Sequence, residues 1–275
     1  MPPVPLTLEG AAVLHQMMRM KWSALRSLPS AEIASIAEEA AAALGNGKWS
    51  APFAVLGHKA DLMLVHFRRD FEELAQVQMT MSRLRLSQYL EPVSSYLSVV
   101  ELGLYESTVK TYQALAGRGM EPHSEAWAEA VEEVLKRQRE AMSARLFPSI
   151  PDARYICFYP MDRKRGEDKN WYMQPMGERQ RMMHEHGMVG RRYAGQVKQI
   201  ISGSIGLDDW EWGVTLFSDD PVVFKRLIYE MRFDEVSAVY ALFGAFYVGL
   251  RFAAADFAGF LNGQMPKWTA QDSLC

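Results

Sequence analysis

Apolar positions along this chain switch period repeatedly, from about two to about 3.6 residues and back. Residues 11–22 mix apolar and polar positions and read as a strand. Ser30 places a capping hydroxyl before the alanine- and glutamate-rich run 31–44, which predicts a helix, and Gly45-Asn46-Gly47 stops it. Residues 52–58 and 61–67 read as two strands joined by a tight turn. Asp70-Phe71-Glu72-Glu73 is a capping box opening a helix to about residue 89. Residues 94–102, with Tyr96, Val99 and Val100, read as a strand.

The second half repeats that order. Residues 155–161 are a strand, and Pro175 opens a helix that runs to about residue 197. Residues 199–204 and 210–217 form two strands around the turn Gly206-Leu207-Asp208-Asp209. Asp220-Pro221 caps a helix to about residue 232, and residues 246–251 are the last strand. One element order used twice, without evident residue identity between the copies, predicts an α+β chain. Its two ferredoxin-like βαββαβ halves would pack as a dimeric α+β barrel within one chain. The predicted units are 1–107, a helical connector at 108–150, 151–252, and a tail at 253–275. Residues 124–146 carry Trp127, Val131, Val134 and Leu135 near helical spacing, so the connector is structured. The tail is either a short helix or an interface segment.

Composition narrows the class. The 275 residues are 49% hydrophobic, enough for a full core. Charged residues make up 23%, with a net charge of −3, which leaves no footprint for nucleic acid or an anionic membrane. Cys157 and Cys275 are the only cysteines, far apart, so a reducing cytoplasm is expected. The N-terminus lacks the basic and apolar regions of a signal peptide, and no apolar run spans a bilayer.

Candidate chemistry gathers in residues 155–204. Tyr159, Met161 and Arg163 share one face of their strand with Tyr155 and Cys157, while Ile156 and Phe158 take the other. Pro160 then belongs at a strand edge or end. On an ideal helix Met182, His186, Val189 and Tyr193 form one stripe, which sets His186, rather than His184, in an apolar face. His186 is either a structural imidazole near a helix end or an axial ligand of haem iron. Gln199 is either a backbone-bonded amide or a group above an iron. Tyr159 is either an amphipathic surface tyrosine or a redox-active phenol. Most nearby cations read as solvated, but Arg145 and Arg191 are placed to clamp a carboxylate. Phenol, imidazole, amide and cations on neighbouring elements describe a pocket for an iron porphyrin that carries carboxylates. Glycine-rich phosphate loops, paired CxxC motifs and the helical histidine spacing of zinc proteases are all missing.

Several blocks carry a family resemblance. They are Tyr159-Pro160-Met161-Asp162-Arg163-Lys164-Arg165, Asn170-Trp171-Tyr172-Met173, His186-Gly187-Met188-Val189-Gly190-Arg191, the run 193–204, the run 209–220, and Met231 through Ser237. They resemble the coproheme decarboxylase family of the chlorite dismutase-like superfamily. The resemblance implies oxidation of two propionates of iron-coproporphyrin III (coproheme) to the vinyl groups of haem b. The route implied passes through a monovinyl intermediate, with hydrogen peroxide as oxidant. It also implies a homopentamer and a transient contact with a coproporphyrin ferrochelatase. By the same resemblance His186 is the proximal iron ligand, Tyr159 the radical-forming tyrosine and Gln199 the distal glutamine. Arg145, Pro160, Met161, Asp162, Arg163, Trp171, Arg191 and Ser237 are substrate-binding positions. The family usually has lysine four residues after the tyrosine, where this chain has Arg163. A chlorite-decomposing or peroxidase-type haem enzyme is the neighbouring alternative, associated with a distal arginine. A non-catalytic haem or porphyrin carrier would need His186 and the cations, but not Tyr159.

Overall fold

In the computed structural model, which describes residues 4–265, the first half runs β1 (Thr7–Met20), α1 (Trp22–Arg26), α2 (Ser30–Leu44), β2 (Ser50–Val55), β3 (Leu62–Arg68), α3 (Phe71–Arg83) and β4 (Leu90–Gly103). The connector holds α4 (Tyr105–Gly117), α5 (Glu125–Ala141) and α6 (Ser143–Leu146). The second half runs β5 (Tyr155–Arg163), α7 (Met176–Arg191), β6 (Lys198–Gly203), β7 (Trp212–Ser218), α8 (Pro221–Met231), β8 (Ala241–Phe243) and β9 (Tyr247–Arg251), and α9 (Phe257–Leu261) follows.

The first half pairs as β4-β1-β3-β2 and the second as β6-β7-β5-β9, all antiparallel. Counted within each half, both orders are 4-1-3-2 or its reverse reading, the ferredoxin-like arrangement. The halves join where Val99 of β4 meets Gly203 of β6 and where Phe53 of β2 meets Arg251 of β9. Eight strands thus close into a barrel without an open edge, and β8 adds a short pairing on β5. Apolar side chains fill its interior, among them Val13, Phe53, Phe67, Tyr96, Phe158 and Phe217. His15 shares that interior, stacked on Phe158 at 4.0 Å with Nε2 3.1 Å from the Thr215 hydroxyl. His66 is also buried, its Nδ1 2.8 Å from the Ser50 hydroxyl. Burial, with a smaller contribution from its neighbour His66, pushes the His15 pKa down to about 3. Burial, then Arg68, does the same to His66, also to about 3.

Several boundaries move. Ser30 lies in the first turn of α2, and Pro29 occupies the cap position. Asp70 caps α3 by accepting from the Glu73 N–H, but α3 ends at Arg83 and a 3-10 turn, Arg85–Tyr89, follows. The single connector helix is two, because Met142 interrupts it. α4 begins at Tyr105, ahead of the expected boundary at residue 107. α7 ends at Arg191 rather than near residue 197, and Gly195, at φ 84°, turns the chain towards β6. α6 runs so close to β1 that a β-carbon on Gly10 would collide with the Leu146 carbonyl. The tail does contain a short helix, α9; residues 266–275, with Cys275, lie outside the described residues. Among the described residues no helix is long and apolar enough to cross a membrane.

Candidate functional site

A cavity of about 780 Å³ opens on the outer face of the second half. Such a volume suits a drug- or cofactor-sized ligand, for which sites run to roughly 300–1,000 Å³. β5 contributes Tyr159, Met161 and Arg163, β6 contributes Gln199, and α7 contributes Met183 and His186. The period-two alternation of β5 produces this wall. Ile156 and Phe158 turn into the barrel, so Cys157, Tyr159 and Met161 turn out.

His186 is half-buried on this cavity, whereas His184 is exposed. Its Nδ1 lies 2.9 Å from Asp234 Oδ2. Ser237, in the π-helical turn Val236–Tyr240, donates its backbone N–H to Asp234 Oδ1 at 2.8 Å and its hydroxyl to Oδ2 at 3.2 Å. Burial disfavours the Asp234 charge, but the bonds from His186 and Ser237 outweigh it and hold the carboxyl below its ordinary range. An ionised Asp234 fixes the proton on Nδ1 and leaves Nε2 as the ring nitrogen for a ligand. This is the carboxylate–imidazole pairing that orients metal-binding histidines and makes them more basic.

Tyr159 is 4% exposed. Its ring stacks on Phe246 at 4.4 Å between centroids and tilts against Phe243 at 5.8 Å. Burial raises its phenol pKa, so the proton is held firmly at rest. Arg163 is buried with its guanidinium 5.1 Å from the Trp171 ring, and it donates to the Val236 carbonyl at 3.4 Å. Of the nearby carboxylates, Glu211 accepts from the Arg163 backbone N–H at 2.9 Å and pairs with Arg165 at 3.5 Å, while Asp234 pairs with His186, so neither forms a salt bridge with the Arg163 guanidinium. Burial pushes the Arg163 pKa down. A guanidinium so placed favours an anion arriving in the cavity.

Arg145 and Arg191 line a second, adjoining cavity of about 1110 Å³. Gln199, Glu101, Tyr105 and Met183 belong to the walls of both cavities. Tyr159, Met161, Arg163, Trp171, His186, Gln199 and Ser237 therefore meet in one cavity, with Arg145 and Arg191 alongside. Pro160 and Asp162 line neither. Pro160 is not at an edge. It sits where the β9 ladder, which ends at Phe158, gives way to the β8 ladder, which begins at Met161. Its carbonyl accepts from Gly244 at 2.9 Å, and the missing N–H falls in the gap between the two ladders. Asp162 accepts from the Glu211 N–H at 2.7 Å.

Sequence reasoning missed Asp234, Tyr105 and Arg179. Asp234 stands three residues before Ser237, a spacing that allowed a capping bond but named no histidine partner. Tyr105 comes from α4, which the pattern did not show. Arg179 is buried one helical turn into α7, where a solvated face was expected.

The chlorite dismutase family model matches residues 30–252. The coproheme decarboxylase of Staphylococcus saprophyticus subsp. saprophyticus is 41% identical over 257 residues, which cover 90% of this chain and 94% of that protein. A haem-binding protein from Thermus thermophilus superposes with a TM-score of 0.79 at 38% identity, covering 95% of this chain and 99% of that one. The chlorite dismutase of Candidatus Nitrospira defluvii in complex with imidazole shares the fold alone. Its TM-score is 0.68 at 16% identity, with 92% of this chain and 95% of that chain covered. With most of its length matched in both sequence and fold, the chain belongs to the chlorite dismutase family.

Proposed function

We propose that this protein is a coproheme decarboxylase, converting two propionates of coproheme to the vinyl groups of haem b through a monovinyl intermediate. The relative from Staphylococcus supports the reaction class. The observation that carries the reading at the site is the combination of His186, held by Asp234, with the buried guanidinium of Arg163, which forms no salt bridge with Glu211 or Asp234. The imidazole suits iron and the guanidinium suits a propionate. The apolar walls, including Met161, Val214, Ile228 and Phe243, suit the macrocycle.

Bound coproheme supplies iron redox chemistry, with hydrogen peroxide as the oxidant. The chain's own residues do the rest. Arg163, Arg145 and Arg191 hold carboxylates and fix which edge of the macrocycle faces β5. Tyr159 loses an electron and a proton, then takes a hydrogen atom from the β-carbon of the propionate beside it. That propionate then loses carbon dioxide and one electron, which leaves the vinyl group. Phe243 and Phe246 hold the phenol in place throughout and keep water from it. Gln199 positions the oxidant. Further parts of this reading are a homopentamer, a transient contact with a coproporphyrin ferrochelatase, and a cytoplasmic location. The test is titration of the ferric coproheme complex with peroxide, products read by mass. Loss of two carboxyl groups in sequence supports the reading. Binding without mass loss makes the protein a carrier, and oxygen release from chlorite makes it a chlorite-decomposing enzyme.

A further inference from the structure

The two cavities differ in where their cations stand. In the first, Arg163 and Arg179 are buried. In the second, Lys48 before β2, Arg145 of α6, Arg191 of α7 and Lys198 at the start of β6 are all exposed. The carboxylates around the second cavity already have partners. Asp152 faces Arg251 at 3.8 Å, and Glu101 accepts from the Trp212 indole N–H at 3.3 Å. Glu106, near Arg191, pairs with Lys110 at 2.6 Å. Lys48 lies over the Trp49 ring at 5.8 Å, and Arg191 donates to the Met188 sulfur at 3.3 Å. Among the described residues, none of the four exposed cations is salt-bridged to a carboxylate. The second cavity meets the first along Tyr105, Met183, Gln199 and Ile201. Buried charges hold a bound partner and set its escape. Exposed charges at a rim act at a distance, raise the encounter rate and are screened by salt.

We propose that the second cavity is the port by which a polycarboxylate macrocycle enters the first, with Lys48 and Lys198 as its steering cations. This rests on coproheme as the ligand, the reading given above. The reaction converts two propionates and keeps the others, so haem b carries less anionic charge than coproheme. The field of the port therefore acts more strongly on substrate than on product. It speeds the entry of coproheme and gives haem b less help in rebinding. The rim of the first cavity offers no such field, because Val4, Met173 and Ile205 there are exposed and apolar.

Stopped-flow binding of ferric coproheme and of ferric haem b, without peroxide, tests this in wild-type protein and in Lys48→Glu, Lys198→Glu and Lys21→Glu. Lys21 follows β1 at the end away from Thr7, lines neither cavity and controls for net charge. Wild-type association with coproheme should slow at least about tenfold between about 10 mM and about 1 M salt, as the screening length falls from about 30 Å to about 3 Å. At about 10 mM salt Lys48→Glu and Lys198→Glu should each slow it about three- to tenfold, with dissociation within about twofold of wild type. Haem b should be slowed less than coproheme, and Lys21→Glu should leave both ligands within about twofold of wild type. Association indifferent to salt, equal slowing of the two ligands, equal slowing by Lys21→Glu, or an effect confined to dissociation would overturn the port. The salt response of wild-type protein needs no variant, so it decides even if a substitution unfolds the chain. Salt-steered binding with coproheme left unconverted by peroxide would sink the proposed function alone. Conversion to vinyl products with salt-indifferent association would sink the port alone.

Discussion

The two halves of the barrel share a strand order and differ in what covers their outer faces. In the first half, α2 buries Ile33, Ile36, Ala37, Ala40 and Leu44, a stripe at helical spacing. With α9 and Phe252, that stripe joins one apolar cluster on the outer side of β2 and β3. In the second half α8 does the same with Val223, Phe224, Leu227 and Met231. α7 does not. It buries Met176, Arg179 and Met182, and it turns Met183 and His186 to the cavity. The repeated fold supplies the platform. The site exists because α7 has no continuous apolar stripe to close it.

If that contrast is right, chemistry and stability should separate between the halves. The largest effect belongs to Tyr159→Phe. Phenylalanine keeps the packing on Phe243 and Phe246 and should cost under about 1.5 kcal/mol of stability. It cannot form a phenoxyl radical, so vinyl products should fall by at least about 100-fold, each tenfold being about 1.4 kcal/mol of lost transition-state stabilisation. Mass spectrometry of peroxide-treated complex checks this, and near wild-type product would leave Tyr159 a binding residue only. Asp234→Asn comes next. Without its carboxylate the His186 ring loses the partner that orients it, so ferric coproheme affinity should drop about 10- to 100-fold. Optical titration measures it, and unchanged affinity would detach Asp234 from the iron site.

Much of this was legible in the sequence, because much of it follows from local rules. The alternation of β5 placed Tyr159, Met161 and Arg163 on one face and Phe158 on the other, and the structure agrees. Asp70 and Asp220 cap the helices they precede. What stayed hidden depends on long-range pairing. Asp234 meets His186 across 48 residues, and Glu101 meets Trp212 across 111. Barrel closure through β4–β6 and β2–β9 sets such neighbours, and no local period encodes it. Pro160 was misplaced for a related reason: the strand beside it changes from β9 to β8, which no pattern within β5 announces.

The covering helices allow a direct comparison. Ile36→Ala on α2 should cost about 2–5 kcal/mol with coproheme binding unaltered once folded. Met183→Ala on α7 should cost only about 1 kcal/mol but change the porphyrin spectrum. Denaturant melts and optical titration on both variants decide it, and equal stability losses would mean α7 is packed like α2. The barrel interior makes a milder prediction in pH. His15 and His66 have folded pKa values of about 3, below the ordinary 6.5. The unfolded chain therefore gains protons first, and their contribution to stability, full above about pH 6.5, is lost as pH falls towards about 3. His66→Gln should flatten that part of the stability profile. An unchanged slope would place the acid sensitivity elsewhere.

The smallest effect concerns Arg163, where the family usually has lysine. Arg163→Lys keeps the charge and most of the stem, so the fold should tolerate it. The ammonium is a compact, strongly hydrated ion and loses the planar contact with Trp171 at 5.1 Å. Ferric coproheme affinity should fall only about two- to fivefold at neutral pH, since Arg145 and Arg191 remain. The distinguishing result is a new pH dependence. Burial lowers the pKa of either cation, but arginine starts so high that it stays charged, whereas a buried lysine can lose its proton near neutrality. Binding to the variant should therefore weaken as pH rises from about 7 to about 9, while wild-type binding stays flat. Equilibrium titrations across that range measure both curves. A flat curve for Arg163→Lys would show that residue 163 holds no carboxylate of the ligand, and would shift that role to the cations of the adjoining cavity.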